Sequence, residues 1–108
     1  MKEFTVNPTQ QVRLRANPKL DDGSPSSIDP ANPLHGDLLS GNGVSAAGAD
    51  NGECIVAANE PGDITFSVKG DADMGAGVTE IEEIVVLHCS PVSATNLDLG
   101  GTVEPRTI

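Results

Sequence analysis

From Gly62 to Cys89 the chain reads GDITFSVKGDADMGAGVTEIEEIVVLHC, with two apolar runs at Ile64–Val68 and Ile81–Cys89. In the first run Ile64, Phe66 and Val68 alternate with Thr65, Ser67 and Lys69, the period of a strand with one face buried. The second opens on Glu82 and Glu83 and becomes almost wholly apolar through Ile84, Val85, Val86 and Leu87. Its short length and β-branched content predict a strand covered on both faces. A small, acidic, glycine-rich connection joins the two. A lone pair of strands cannot stand by itself, so the rest of the chain must supply the sheets that cover it.

The same alternation recurs on the N-terminal side. Met1–Val6 places Phe4 and Val6 on one face and ends at Asn7-Pro8, where proline breaks the ladder. Thr9–Ala16 sets Val12, Leu14 and Ala16 inward and Gln11, Arg13 and Arg15 outward. Asn17–Pro33 contains four prolines with Asp-Gly and Ser-Pro pairs, which exclude continuous regular structure apart from a candidate short strand at Ser27–Asp29. Leu34–Ser40 is a further candidate strand. Gly41-Asn42-Gly43 turns the chain into Val44–Ala49, a small-residue strand or coil. Asn51-Gly52 predicts a tight type I′ hairpin leading into Glu53–Ala58. After Cys89, Pro91 ends the paired run, Thr95, Leu97 and Leu99 alternate as a last strand, and Gly100–Ile108 reads as a flexible C-terminal tail. No segment has a helical period. About seven short strands between turn signals predict an all-β, antiparallel β-sandwich over residues 1–99, with a small barrel as the other arrangement.

Composition narrows this picture. The chain has 108 residues, enough for one domain with one core. Only 37% of them are apolar and only Phe4 and Phe66 are aromatic, so the core must come from Val, Ile, Leu and Ala. Sixteen acidic residues against six basic ones leave a net charge of −10. That sign argues against a nucleic-acid backbone or an anionic membrane as partner and favours a solvated surface or a basic partner. Arg13, Arg15 and Lys19 form a local basic edge, suited to blunting an edge strand or contacting a partner. The start, MKEFTVNP, lacks an apolar signal-peptide core, so folding in a reducing compartment is expected. Cys54 and Cys89 then read as two buried thiols, with pairing as the alternative.

The residues give little chemistry. Asp71 and Asp73 in GDADMGAG invite a calcium reading, but the ligand spacing of a calcium loop is missing, and Asp21-Asp22-Gly23 fits less well. His35 and His88 are far apart, and His88 and Cys89, as neighbours on a strand, point to opposite faces and make no dyad. Catalytic, phosphate-binding and zinc-spacing motifs are all absent. The expectation is no enzymatic activity, no catalytic, metal or cofactor-binding residue, and no cofactor.

The layout TQQVRLRANPKLDDGSPSSID, followed by GECIVAANEPGDITFSVKGDADMGAGVTEIEEIVVLHCSPVSATNLDLGGTVEP, resembles small bacterial-Ig-like domain proteins encoded by tailed phages and prophages. The matching parts are Thr9–Leu14, Val68–Gly77 and Val78–Leu99, with DADMGAGV the distinctive piece. Leu34–Gly41 departs from the pattern, because such domains usually carry a tryptophan there. The resemblance implies an Ig-like sandwich displayed on the virion, on the capsid exterior or tail, made in the host cytoplasm. The implied role is that of a structural decoration protein bound to major capsid protein, with a homo-oligomer on the capsid as one arrangement. A carbohydrate- or cell-surface-binding adhesive module is the alternative. It would need an aromatic platform, which a chain without Trp or Tyr lacks, or a calcium-organised Asp71–Asp73 loop.

Overall fold

A computed structural model describes residues 1–20, 22–75, 77–91 and 102–108. Eight strands are present among them: β1 Lys2–Val6, β2 Gln10–Arg15, β3 His35–Ser40, β4 Gly43–Ala47, β5 Glu53–Ala58, β6 Gly62–Asp73, β7 Val78–Cys89 and β8 Thr102–Pro105. They form two four-stranded sheets, ordered β1-β7-β6-β3 and β4-β5-β2-β8. Strands β4-β5-β2 facing β3-β6-β7 reproduce the D-E-B and C-F-G sets of an immunoglobulin sandwich. Pairing is antiparallel except between β1 and β7, which run parallel with Lys2 opposite Val85 and Val6 opposite Cys89.

Alternating side chains of both sheets meet in one core. The first sheet supplies Phe4, Val6, Ile64, Phe66, Val85 and Leu87; the second supplies Val12, Cys54, Val56 and Ala58. Phe66 is fully buried at the centre. The large apolar residues of β3, Leu38 and Leu39, are exposed, so neither fills the core. Instead Gly36 lets β3 close on the other sheet: a Cβ there would lie 3.3 Å from the Cβ of Ser45 and 3.4 Å from Val56. The Ser45 hydroxyl donates across that gap to the Gly36 carbonyl at 2.6 Å. Between these strands Gly41 adopts φ of 84°, and a Cβ would meet the Asp63 carbonyl at 2.7 Å.

Several expectations change. Strands β6 and β7 have twelve residues each and pair without a break from Gly62↔Cys89 to Asp73↔Val78. Most of the expected acidic connection is therefore strand, and the turn is confined to Met74–Gly77, closed by the Met74 N–H donating to the Gly77 carbonyl at 2.8 Å. At about 3.3 Å per residue such a hairpin is about 40 Å long, which accounts for a molecule extending 49 × 22 × 22 Å. Strand β7 buries one face, through Val85, Leu87 and Cys89, while Ile84 and Val86 stay half-exposed. The expectation of two covered faces fails because nothing among the described residues packs on the outside of the first sheet there.

Asn51-Gly52 does not make a type I′ turn. Neither residue has positive φ, and a five-residue connection, 48–52, joins β4 to β5. The reason lies in two carboxylates: Asp50 accepts the Gly52 N–H at 2.9 Å and Glu53 accepts the Ala49 N–H at 2.9 Å. These bonds satisfy the loop's donors without left-handed residues.

The predicted flexible tail is also corrected. Thr102–Pro105 is β8, antiparallel to β2 with Val103 opposite Val12. Arg106 fastens the residues beyond it, donating to the Ala58 carbonyl at 3.2 Å and to Asn59 Oδ1 at 2.7 Å. Gln11, expected to face solvent, is fully buried beneath this segment. Its amide donates to Glu104 at 2.9 Å and accepts the Thr107 N–H at 2.8 Å, so its burial leaves no polar atom unpaired. The strand expected at Thr95–Leu99 lies outside the described residues.

The proline-rich segment Asn17–Pro33 does not hang free. It doubles back through a bridge between Lys19 and Pro25, then lies along the far half of β6. Ile28 bridges Ala72. The Asp29 N–H donates to the Asp71 carbonyl at 2.7 Å, the Asp71 N–H to the Asn32 carbonyl at 3.2 Å, and the Asp73 N–H to the Ser27 carbonyl at 2.8 Å. Gly70 permits this approach, since a Cβ there would come within 3.3 Å of the Leu34 backbone.

Candidate functional site

The candidate residues named from sequence are dispersed. Asp71 and Asp73 both belong to β6, and Asp73 uses Oδ1 to accept the Gly75 N–H at 2.8 Å, capping the hairpin turn. Asp22 likewise accepts the Ser24 N–H at 2.9 Å, while Asp21 lies outside the described residues. Among the described residues, no group of three or more His, Cys, Asp or Glu has the geometry to hold a metal. Cys54 and Cys89 are buried free thiols. Burial pushes the Cys54 thiol up to about 11 and raises that of Cys89, so both are protonated and unreactive at neutral pH.

Arg13 and Arg15 do not form a basic edge, because β2 is an interior strand flanked by β5 and β8. Arg13 lies between two carboxylates, 2.7 Å from Glu104 of β8 and 2.6 Å from Glu53 of β5. These hydrogen bonds, Glu104 first, raise its pKa further. Glu53 is held below the usual carboxylate range by the Ala49 N–H and then by Arg13; Glu104 is lowered by Arg13 and then by Gln11. Arg15 bonds Asp50 and Glu53, each at 3.0 Å. The basic residues therefore staple three strands together and are spent internally.

A second polar cluster escaped the sequence because its members are remote along the chain. His88 sits on the outer face of the first sheet, with Nδ1 2.9 Å from Asp63 of β6 and Nε2 3.0 Å from Glu3 of β1. Both nitrogens can donate only when the ring is protonated. The two carboxylates, Asp63 first, accordingly raise the His88 pKa. His35 stands apart, its Nδ1 2.8 Å from the Pro33 carbonyl and its Nε2 3.8 Å from Asp37.

The feature with most capacity for recognition is a cleft of about 590 Å³ where the two sheets part between β1 and β2. Phe4, Leu14, Leu34, Val68 and Val85 make an apolar floor; Lys2, Arg13, Glu82 and Glu83 stand at its rim. Beside it runs the far half of β7. Strand β1 covers β7 only from Val85 onward, so Val78–Ile84 pairs with β6 on one side and with no described residue on the other. Which groups lie open follows from the opposite strand. Asp71 and Asp73 send their N–H groups away from β7, so their cross-strand neighbours Glu80 and Val78 send theirs away from β6. Continuing the alternation, Val78, Glu80 and Glu82 turn their N–H and C=O groups, and Ile84 its N–H, to a side where no described residue pairs with them, while the Ile84 carbonyl meets Lys2 of β1 and Thr79, Ile81 and Glu83 bond to β6. The sequence could have hinted at this only through the equal lengths flanking Met74–Gly77. Compared with protein-family models, with curated proteins and with solved structures, the chain matches none.

Proposed function

We propose that this protein is a non-enzymatic structural component of a tailed-phage virion, an Ig-like decoration or accessory protein that binds the major capsid protein lattice from the exterior. The observation that carries the reading is the resemblance of TQQVRL and KGDADMGAGV to phage-encoded Ig-like domains, now joined to a sandwich in which those segments are β2 and the far half of the β6–β7 hairpin. The chemistry of the surface agrees with it. Among the described residues the thiols are buried, the carboxylates dispersed and Arg13 and Arg15 paired within the fold. An acidic, well-solvated exterior with net charge −10 suits a protein held in high local density on a particle. Mass spectrometry of purified particles of the encoding phage should find the chain at a copy number commensurate with the capsid lattice, and cryo-EM should place its density outside the shell. Particles that lack the chain contradict the proposal.

A further inference from the structure

We propose that the open edge of β7, Val78–Ile84, with the adjoining cleft, is a strand-acceptor site for an extended, lysine- or arginine-bearing segment of a partner protein. Edge geometry and charge define this site whichever protein supplies the strand. Three features define the occupant.

The first is the row of N–H and C=O groups on Val78, Glu80 and Glu82, with the Ile84 N–H, that no described residue pairs and a further strand would complete. The second is the cleft. A strand added there lies in line with β1, whose own pairing starts at Lys2↔Val85, and turns alternate side chains toward the apolar floor of Phe4, Leu14, Val68 and Val85. The third is charge. Glu80 and Glu82 on β7 and Asp71 and Asp73 on β6 share the outer face of this half of the hairpin, with Lys69, 3.7 Å from Glu82, as that face's cation, whereas Glu83 turns inward opposite Val68 and bonds the Met1 ammonium at 3.3 Å.

Charged residues on a sheet edge are a common device against edge-to-edge aggregation. Here that device discriminates by sign. A second copy of this chain would bring its own Glu80 and Glu82 against the same two residues and is repelled. A segment with basic residues on its outward positions and apolar ones inward meets both the carboxylates and the floor. The edge is thus closed to itself and open to a basic strand.

The test uses the full chain, isotopically labelled, and a probe peptide of about nine residues alternating lysine and valine. The expected result is saturable amide shifts confined to Val78–Ile84 and the cleft floor. Methylating alternate backbone nitrogens of the peptide should weaken binding by at least about tenfold, because the ladder bonds are lost while charge is kept. The double variant Glu80→Lys/Glu82→Lys should weaken it by about tenfold or more, and a glutamate–valine peptide should not bind. No saturable shift overturns the proposal, as does equal binding of the methylated peptide, which would mean surface electrostatics alone. Because the methylation comparison uses the unaltered protein, it decides even if the double variant fails to fold. Binding of the basic peptide with no chain found on virions would leave this site intact and remove the virion reading.

Discussion

Along the far half of the hairpin, β6 keeps burying every second side chain as far as Ala72, at 4% exposure, whereas β7, bonded to it throughout, is exposed from Val78 to Glu80. The two strands differ in what lies on their outer edges. Beyond β3, the proline-rich segment takes up the open backbone groups of β6 and lays Ile28 over Ala72. Beyond β1, β7 has no such cover among the described residues. A segment without regular structure therefore does the work of a strand, and its absence on the other side leaves an edge with acceptor geometry. What seals a sheet edge is the matching of N–H and C=O groups, and a loop fixed by prolines can supply it.

The comparison can be broken most severely at the root that both strands share. Phe66→Ala should cost about 3–5 kcal/mol in denaturant unfolding, since it empties the centre of the core, and both halves of the hairpin should lose amide protection together. Ile28→Ala should cost about 2 kcal/mol, the low end for a buried aliphatic at the margin of a core. Its specific sign is that Asp71 and Asp73 amides exchange faster while β7 is unchanged, which makes β6 resemble its neighbour.

A smaller effect concerns the junction where β1 begins to cover β7. The His88 pKa is raised by Asp63 and Glu3 from its ordinary value of 6.5, so the protonated clasp contributes fully below 6.5 and is lost as pH rises through the raised value. Amide exchange in β1 should quicken over that rise, and His88→Gln should flatten the profile. Glu53 and Glu104 act with the opposite sign. Their lowered values make the arginine staple fully present above 4.5 and lost as pH falls through the depressed pKa values. The smallest effect is expected on the edge itself: Glu80→Gln should change stability by no more than about 0.5 kcal/mol, because the residue is exposed.

The legible part of the fold was the part that buries side chains by alternation. Phe4 and Val6, Val12, and Ile64 to Val68 declared their strands through a period of two, whereas Val85 to Cys89 showed itself as a β-branched apolar run whose buried alternation only the structure displays. The illegible part was held by backbone and polar groups. Ile28 is one apolar residue among four prolines and gives no period, although the segment around it binds β6 through three backbone hydrogen bonds. Thr102–Pro105 is too short to show one, and Gln11 alternates outward correctly yet is covered by Glu104 and Thr107, more than ninety positions away. Asn51-Gly52 misled because Asp50 and Glu53 satisfy the loop's donors by side chain. The candidate site shares this character. Glu80, Glu82 and Glu83 are visible as acidic residues, but the openness of their backbone depends on where β1 stops.

Residue-resolved amide hydrogen exchange on the full chain tests that openness most directly. The N–H groups of Thr79, Ile81 and Glu83 should exchange slowly through their bonds to β6, and those of Val78, Glu80, Glu82 and Ile84 should exchange near the rate of unstructured chain, while Gly70–Asp73 of β6 is slow at every position. Uniformly slow exchange along Val78–Ile84 would show that the edge is already covered and would contradict the account.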